Sequence, residues 1–524
     1  MVKLGWKLFA AAALAMLLAT ARAAPPDAGA EAERRAGQAI YRDGVLASGK
    51  LLTGLGAAGV LRQGRDAACV ACHRRSGFGM AEGEVVARPI TAPDLFEASA
   101  AAAATPRIAH QLGTRRRPVY DAATLAAALR SGIDASGRPL HSTMPRYALD
   151  GADMAALQAY LKTLYAAPDP GVDEGDIHLA TVIQPDVAPA RRQAMLDVLR
   201  AFVRDKNAGV RSELARRTGG AMRMHRAYRS WVLDVWELAG APGEWGAQLD
   251  DYYRRQPVFA LVGGIGELGW QPVQDFSERE RVPCILPLTS VPGTSAPNFY
   301  TVYFSRGIAL EAEALASRLG AAKKVIQVFR PGQAASMAAA AALRAGLPAA
   351  GARLQDLALA APMNDAQWRK LVGTDAVLVL WLGERDLPAH LPERRRPTWL
   401  SATLLDGAAA PAGRQIGITS PWELPPLRDA RVRRSTDWLR ARGLAQTQSE
   451  LPVQVNTLYA ITMVGEALSH LMDSFSRDYF VETVEHDVAT TSLSSFYPPL
   501  TLGPDQRHAS KAVYLLPAVE LVVP

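Results

Sequence analysis

The chain has little cysteine: Cys69, Cys72 and Cys284 serve 524 positions, too few for a disulfide framework. It has little imbalance of charge. Lys+Arg number 58 against 51 Asp+Glu, a net +7, which is small for this length. That excess reads as a solvated arginine-rich surface or as a basic face for an acidic partner. No basic run is interleaved with aromatics, which argues against nucleic-acid binding. Past the N-terminus there is no apolar run long enough to cross a bilayer. His178, His225, His390, His470, His486 and His508 follow no metal-ligand spacing, and no Ser/His/Asp or paired-carboxylate arrangement can be argued. A hydrophobic content of 49% with 21% charged residues excludes disorder and coiled coil. The length calls for two or three domains.

What is present begins with a processing pattern. Lys3 and Lys7 precede a short apolar run, Phe9 to Ala19, and Ala21-Arg22-Ala23 fits the small-x-small cleavage rule. Residues 1–23 are expected to be a cleaved signal peptide, with Ala24 opening a periplasmic mature chain that has no transmembrane segment. The alternative, an uncleaved anchor, is disfavoured by the shortness of the run.

Two of the three cysteines lie in Cys69-Val70-Ala71-Cys72-His73. This C-x-x-C-H pattern suits covalent haem attachment. Each thiol adds to one haem vinyl group, and the adjacent imidazole then lies under the iron. The competing readings are a thiol redox pair, which wants a βα context, and half a zinc site, whose other half is missing. One covalent haem c is expected, held by Cys69 and Cys72, with His73 as one axial ligand. Met144, in His141-Ser142-Thr143-Met144-Pro145-Arg146-Tyr147, is the candidate for the other, because Pro145 holds the loop extended and a thioether opposite imidazole raises the potential. Met80, His110 and His141 are its rivals. Helices are expected from Glu31 to Ser48 and, capped by Asp150, from Ala152 to Tyr165, where Met154, Leu157, Tyr160, Leu161 and Leu164 share one face. The alanine-rich stretch 98–104 reads as a helix or a loose loop.

C-x-x-C-H near the start, M-P-x-Y near the end and a closing A-L-x-x-Y-L-K-x-L helix resemble a class I cytochrome c domain over residues 31–166. The resemblance implies an all-α module, with Arg146 and Tyr147 neighbouring the haem or its propionates; a surface Arg146 is the equal alternative.

Residues 167–176, rich in Pro, Gly and acid, read as a linker. Beyond it, strand-like and helical runs alternate through 177–524: Ile177–Ile183, then a helix near Pro189–Lys206; Pro257–Val262, then Gly263-Gly264; Val282–Leu286 with a buried, inert Cys284; Lys324–Phe329, then a helix Ala334–Ala345; Ala376–Trp381. Asp234–Asp251 reads as helix and linker. The alternation signals a parallel α/β sheet with ligands at the carboxyl ends of strands. Together with Pro287-Leu288-Thr289-Ser290, Asn298 to Ser305 and the helix opening at Asn456, the order resembles type I periplasmic binding proteins of the branched-chain amino acid and amide receptor group.

That resemblance implies two lobes, near 177–302 with 425–490 and 303–424 with the C-terminal tail, closing on a small ligand. Its contact loops fall at Gly264 and Gly266, at Thr289 and Ser290, near Gln333, and at Asp406, the acid expected against a ligand ammonium. The small hydroxyl run usual after the Gly-rich turn is Gly266-Glu267-Leu268 here, and the usual aromatic of the second lobe is replaced around Arg330 to Gln333. A standard amino acid is therefore not the expected ligand, and a docking scaffold that has lost ligand binding is the alternative. The expected fold class is multidomain, an all-α cytochrome c domain followed by a two-lobed α/β periplasmic-binding-protein-like domain. The expected role is an electron carrier rather than a catalyst, serving a periplasmic redox partner such as a dehydrogenase or another cytochrome. The alternative role is a transport or sensory receptor whose haem senses redox state or gas.

Overall fold

The computed structural model describes residues 28–83, 85–97, 117–217, 229–348, 352–391, 394–444, 447 and 449–517. The expected signal peptide, the alanine-rich stretch 98–104, His110 and His225 lie outside them. The chain divides into two compact units, Met1–Ala166 and Ala167–Pro524. Among the described residues no helix is long and apolar enough to cross a membrane.

The first unit is organised by two crossing helices, Ala28–Asp43 and Gly151–Leu161. They meet at Gly37, where a Cβ would lie 1.9 Å from the Ala156 carbonyl oxygen. Only glycine permits that approach. Tyr41 and Tyr160 pack beside it with ring centroids 5.3 Å apart, and Arg42 Nε donates to the Tyr160 hydroxyl at 3.0 Å. The second helix starts where Asp150 accepts from the Asp153 amide at 2.8 Å, the expected N-cap. It buries Met154, Leu157, Tyr160 and Leu161, each contributing about 2 kcal/mol by leaving water. A third helix, Ala122–Ser131, is closed at its start by an Asp121–Thr124 capping box and at its end by Gly132 in the left-handed region.

The expectation of an all-α module did not include two short antiparallel ladders. Strands β1 (Thr53–Leu55), β2 (Leu61–Gln63) and β5 (Arg146–Tyr147) form one, in the order β2-β1-β5. Strands β3 (Met80–Glu82) and β4 (Val85–Ala87) form the other. At two or three residues each, they are too short to leave a period-two pattern in the sequence.

The second unit contains two sheets. The first comprises β6 (Asp176–Ile183), β7 (Ser230–Glu237), β8 (Ala260–Val262), β9 (Ile265–Gly266), β10 (Cys284–Ile285), β11 (Leu288–Thr289) and β12 (Thr301–Val302), all parallel. β9 prolongs β8 past Gly263-Gly264, both at positive φ, and β11 prolongs β10. Strand β7 corrects the expectation of helix and linker over Asp234–Asp251. Asp234 lies inside a strand that pairs along its whole length with β6, and the helix begins only at Trp245. The run Ser230–Glu237 is rich in Trp and Val, which suit a pleated surface better than a helix.

The second sheet comprises β13 (Lys324–Phe329), β14 (Arg353–Ala358), β15 (Val377–Trp381), β16 (Thr398–Ser401), β17 (Ile416–Ser420) and β18 (Tyr514–Pro517). The first five are parallel and the tail strand β18 is antiparallel. With β8/β9 and β10/β11 each taken as one strand, both sheets run 2-1-3-4-5. That is a doubly wound order with a switch point at the carboxyl ends of the strands.

The chain crosses between the two lobes three times. After β12 it enters the helix Ile308–Leu319, whose Ile308, Ala312 and Leu315 join the core of the second sheet. After β17 it returns, and Val432, Leu439 and the helix Leu451–Leu471 join the core of the first. After Ala509 it passes again to β18. The helix Leu451–Leu471 is buried on nearly all sides, as a helix inside a core must be.

Candidate functional site

In the first unit, Cys69 is the N-cap of the one-turn helix Val70–His73, and the His73 amide donates to the Cys69 carbonyl at 2.9 Å. This single turn places both thiols and the imidazole on one short segment. The turn is held from outside. Tyr41 donates to the Arg74 carbonyl at 2.7 Å, and the Gly79 amide donates to the His73 carbonyl at 3.1 Å. Gly79 sits at φ +77°, where a Cβ would lie 2.0 Å from the Ala87 carbonyl oxygen.

His73 Nδ1 lies 2.8 Å from the Arg88 carbonyl oxygen. A carbonyl only accepts, so Nδ1 carries the proton and Nε2 keeps its lone pair. A backbone acceptor of this kind fixes the tautomer and orientation of a metal-bound imidazole. Burial also holds the ring below its ordinary pKa, which favours the neutral, ligating form.

Cys69 and Cys72 form no disulfide. Burial pushes the Cys69 thiol up to about 12, the reverse of what a thiol redox pair needs. Two unpaired thiols beside an oriented neutral imidazole fit haem c, and they fit poorly with dithiol chemistry.

Met144 is half-buried and packs, with Cys69, Val70 and Leu140, against the same core. Its loop is tied down at both ends. Arg146 donates to the Met144 carbonyl at 2.5 Å and to the Leu140 carbonyl at 3.1 Å. Tyr147, buried, donates to the Ala67 carbonyl at 3.0 Å, just ahead of Cys69. Arg146 thus braces the methionine loop from within, and Tyr147 tethers it to the segment just ahead of Cys69. The rival His141 is exposed and turned to Thr143 Oγ1 at 2.9 Å. Met80 lies in the β3–β4 ladder, and Met154 is a core side chain.

In the second unit a cavity of about 850 Å³ opens at the carboxyl ends of strands from both sheets, within the size range of small-molecule sites. Of the residues singled out in the sequence, it brings together Gly266, Thr289, Ser290, Gln333 and Asp406. Gly264 does not line it. A Cβ there would press on Trp270 at 2.8 Å, so its role is packing at the strand kink.

Asp406, expected to meet a ligand's ammonium, is already engaged. It caps the short helix Ala402–Leu405 at φ +48°, and Arg191 Nη1 lies 2.8 and 2.7 Å from its two oxygens. Arg191 also approaches Glu267 at 3.6 Å. Sequence reasoning missed Arg191, Asn456, Trp422, Phe496 and Tyr497, all of which line the cavity. Trp422 and Tyr497 have ring centroids 4.7 Å apart, and Phe304 stacks behind Tyr497 at 5.1 Å. These residues come from segments distant in sequence, and nothing in their local pattern marks them as neighbours.

The cytochrome c family profile matches residues 63–165. Those residues are a cytochrome c domain, and such domains carry covalently bound haem. No curated protein matches the chain. Among solved structures, a possible leucine/isoleucine/valine-binding protein from Rhodopirellula baltica is similar at 13% identity and TM-score 0.45, covering 67% of this chain and 99% of that one. The leucine-binding protein LivK from Thermotoga maritima is similar at 14% identity and TM-score 0.43, covering 65% and 94%. A substrate-binding periplasmic protein from Ralstonia solanacearum is similar at 12% identity and TM-score 0.45, covering 65% and 97%. The two-lobed α/β architecture described above rests on this chain's own strand order and pairing.

Proposed function

We propose that this chain is an exported electron carrier with one haem c in its first unit and a small-molecule-binding module in its second. Cys69 and Cys72 would hold the haem covalently, and His73 and Met144 would ligate its iron. The observation that carries the reading is the His73 ring, whose Nδ1–H is committed to the Arg88 carbonyl, so that Nε2 is free to ligate beside two unpaired thiols. Bound haem supplies a one-electron couple. The chain's residues do the rest. The Arg88 carbonyl orients the imidazole, Arg146 braces the methionine loop, and Tyr147 ties that loop to Ala67. Cys69 and Met144 pack, partly buried, against the same apolar core. With His73 and Met144 both available to it, the haem would serve electron transfer rather than chemistry on a substrate.

The electron donor or acceptor is a periplasmic partner such as a dehydrogenase or another cytochrome. The processing pattern at Ala21-Arg22-Ala23 supports export, and the cavity between two doubly wound lobes supports ligand binding. The test is the visible spectrum and midpoint potential of the wild type and Met144→Ala. The expected wild type is low-spin and takes up one electron per chain. The variant is expected to be high-spin with a lower potential. A high-spin wild type, or a variant with unchanged spectrum and potential, would overturn the ligand assignment.

A further inference from the structure

The cavity of the second unit has five charged side chains in its lining: Arg191, Glu267, Asp406, Glu423 and Arg428. Each is already paired within the chain. Arg191 spans the mouth from the first turn of the helix Pro189–Arg217 to Asp406 and Glu267. Glu423, 3% exposed, accepts from Arg431 at 2.9 Å and from the Tyr514 hydroxyl at 2.6 Å. Arg428 meets Asp429 at 3.0 Å and lies over the Phe496 ring.

The uncommitted groups are neutral. Asn456, 2% exposed, accepts from the Phe496 amide at 2.9 Å through Oδ1. Its Nδ2 has no partner among the described residues, nor have the side chains of Ser290 and Gln333. Trp422, Phe496 and Tyr497 add an aromatic wall.

A charged ligand entering this space would have to displace a pair, at modest cost for the half-exposed Asp406 and Glu267 and at high cost for buried Glu423, or bury its charge without a partner. A neutral molecule meets no such penalty. It gains from the aromatic wall and satisfies the free amides and hydroxyl. We propose that the cavity takes an uncharged small molecule with an apolar or aromatic face and hydroxyl or carbonyl groups, and that Arg191 neutralises the acids that would otherwise select a cation. This deepens, and rests on, the reading of the second unit as a binding module.

The experiment is a ligand-observed NMR titration of the full haem-loaded chain with six probes. Benzyl alcohol and benzamide are neutral, benzoate is an anion, benzylamine is a cation, and L-leucine and L-phenylalanine are zwitterions. The neutral probes are expected to bind at least about tenfold more tightly than any charged one. Ser290→Phe, which places a ring into the cavity from a half-buried lining position, is expected to weaken that binding at least about tenfold with an unchanged circular dichroism spectrum. Arg191→Gln is expected to raise benzylamine affinity about tenfold by freeing Asp406. If benzoate, benzylamine or an amino acid binds as well as the neutral probes, the proposal on ligand charge falls while the binding module stands. If no probe binds, both fall. Full binding to Ser290→Phe, or an unchanged benzylamine affinity in Arg191→Gln, also overturns the proposal.

Discussion

Glu311 offers a sharp test of how the second lobe is held together. It lies on the helix Ile308–Leu319, is fully buried, and among the described residues faces no cation. Its carboxylate accepts from Ser401 at 2.8 Å and from the hydroxyls of Thr403 and Thr419. Burial outweighs these three donors and raises the carboxyl from its ordinary value near 4.5 to about 7. Between those values the folded chain binds more protons than the unfolded one, so stability falls as pH rises through the window and levels off above it. At about 1.4 kcal/mol per pKa unit, the full penalty above pH 7 is about 3 kcal/mol. Glu311→Gln keeps the shape and removes the ionisation. Relative to wild type, the variant should therefore gain about 2–3 kcal/mol on going from pH 5 to pH 8. Urea unfolding followed by tryptophan fluorescence measures this, because every tryptophan except Trp6 lies in the second unit. Equal pH dependences for the two proteins would refute the reasoning, since Glu311 would then be ionised in the fold at little cost.

Other outcomes follow from the same structure. Gly37→Ala places a methyl against the Ala156 carbonyl and should destabilise the first unit by about 1–3 kcal/mol, read as a lower thermal midpoint of the haem-band transition. An unchanged midpoint would mean that the helices can separate without cost. Arg477, 2% exposed, donates to the carbonyls of Phe259, Glu280, Pro170 and Val258. Arg477→Met leaves those acceptors unpaired and should cost the second unit about 3–5 kcal/mol, measured by urea titration, whereas a loss below about 1 kcal/mol would show that water replaces the guanidinium.

The long, periodic elements were legible before any coordinates. Lys324–Phe329 is the strand β13 as read, the helix from Ala334 extends one residue past the expected Ala345, and Asp150 caps the helix its position suggested. Cys284 is a buried strand residue whose thiol burial pushes up to about 12. What escaped the sequence has physical causes. The acceptor for His73 is a backbone carbonyl, which has no residue signature. The partner of Asp406 is an arginine 215 positions earlier, brought close only by the packing of two lobes. The strand at Ser230–Glu237 carries an acid in mid-run, which obscured its character. The helix read to Lys206 continues to Arg217, past Asn207 and Gly209, which disfavour helix.

The measurement that bears most directly on the central claim is the intact mass of the protein, matured in cells that assemble c-type cytochromes and then denatured. The account predicts a chain beginning at Ala24 that retains the added mass of a single haem after unfolding, and that loses this mass when Cys69 and Cys72 are both replaced by alanine. A polypeptide that sheds its haem on denaturation, or one that carries none, would contradict it.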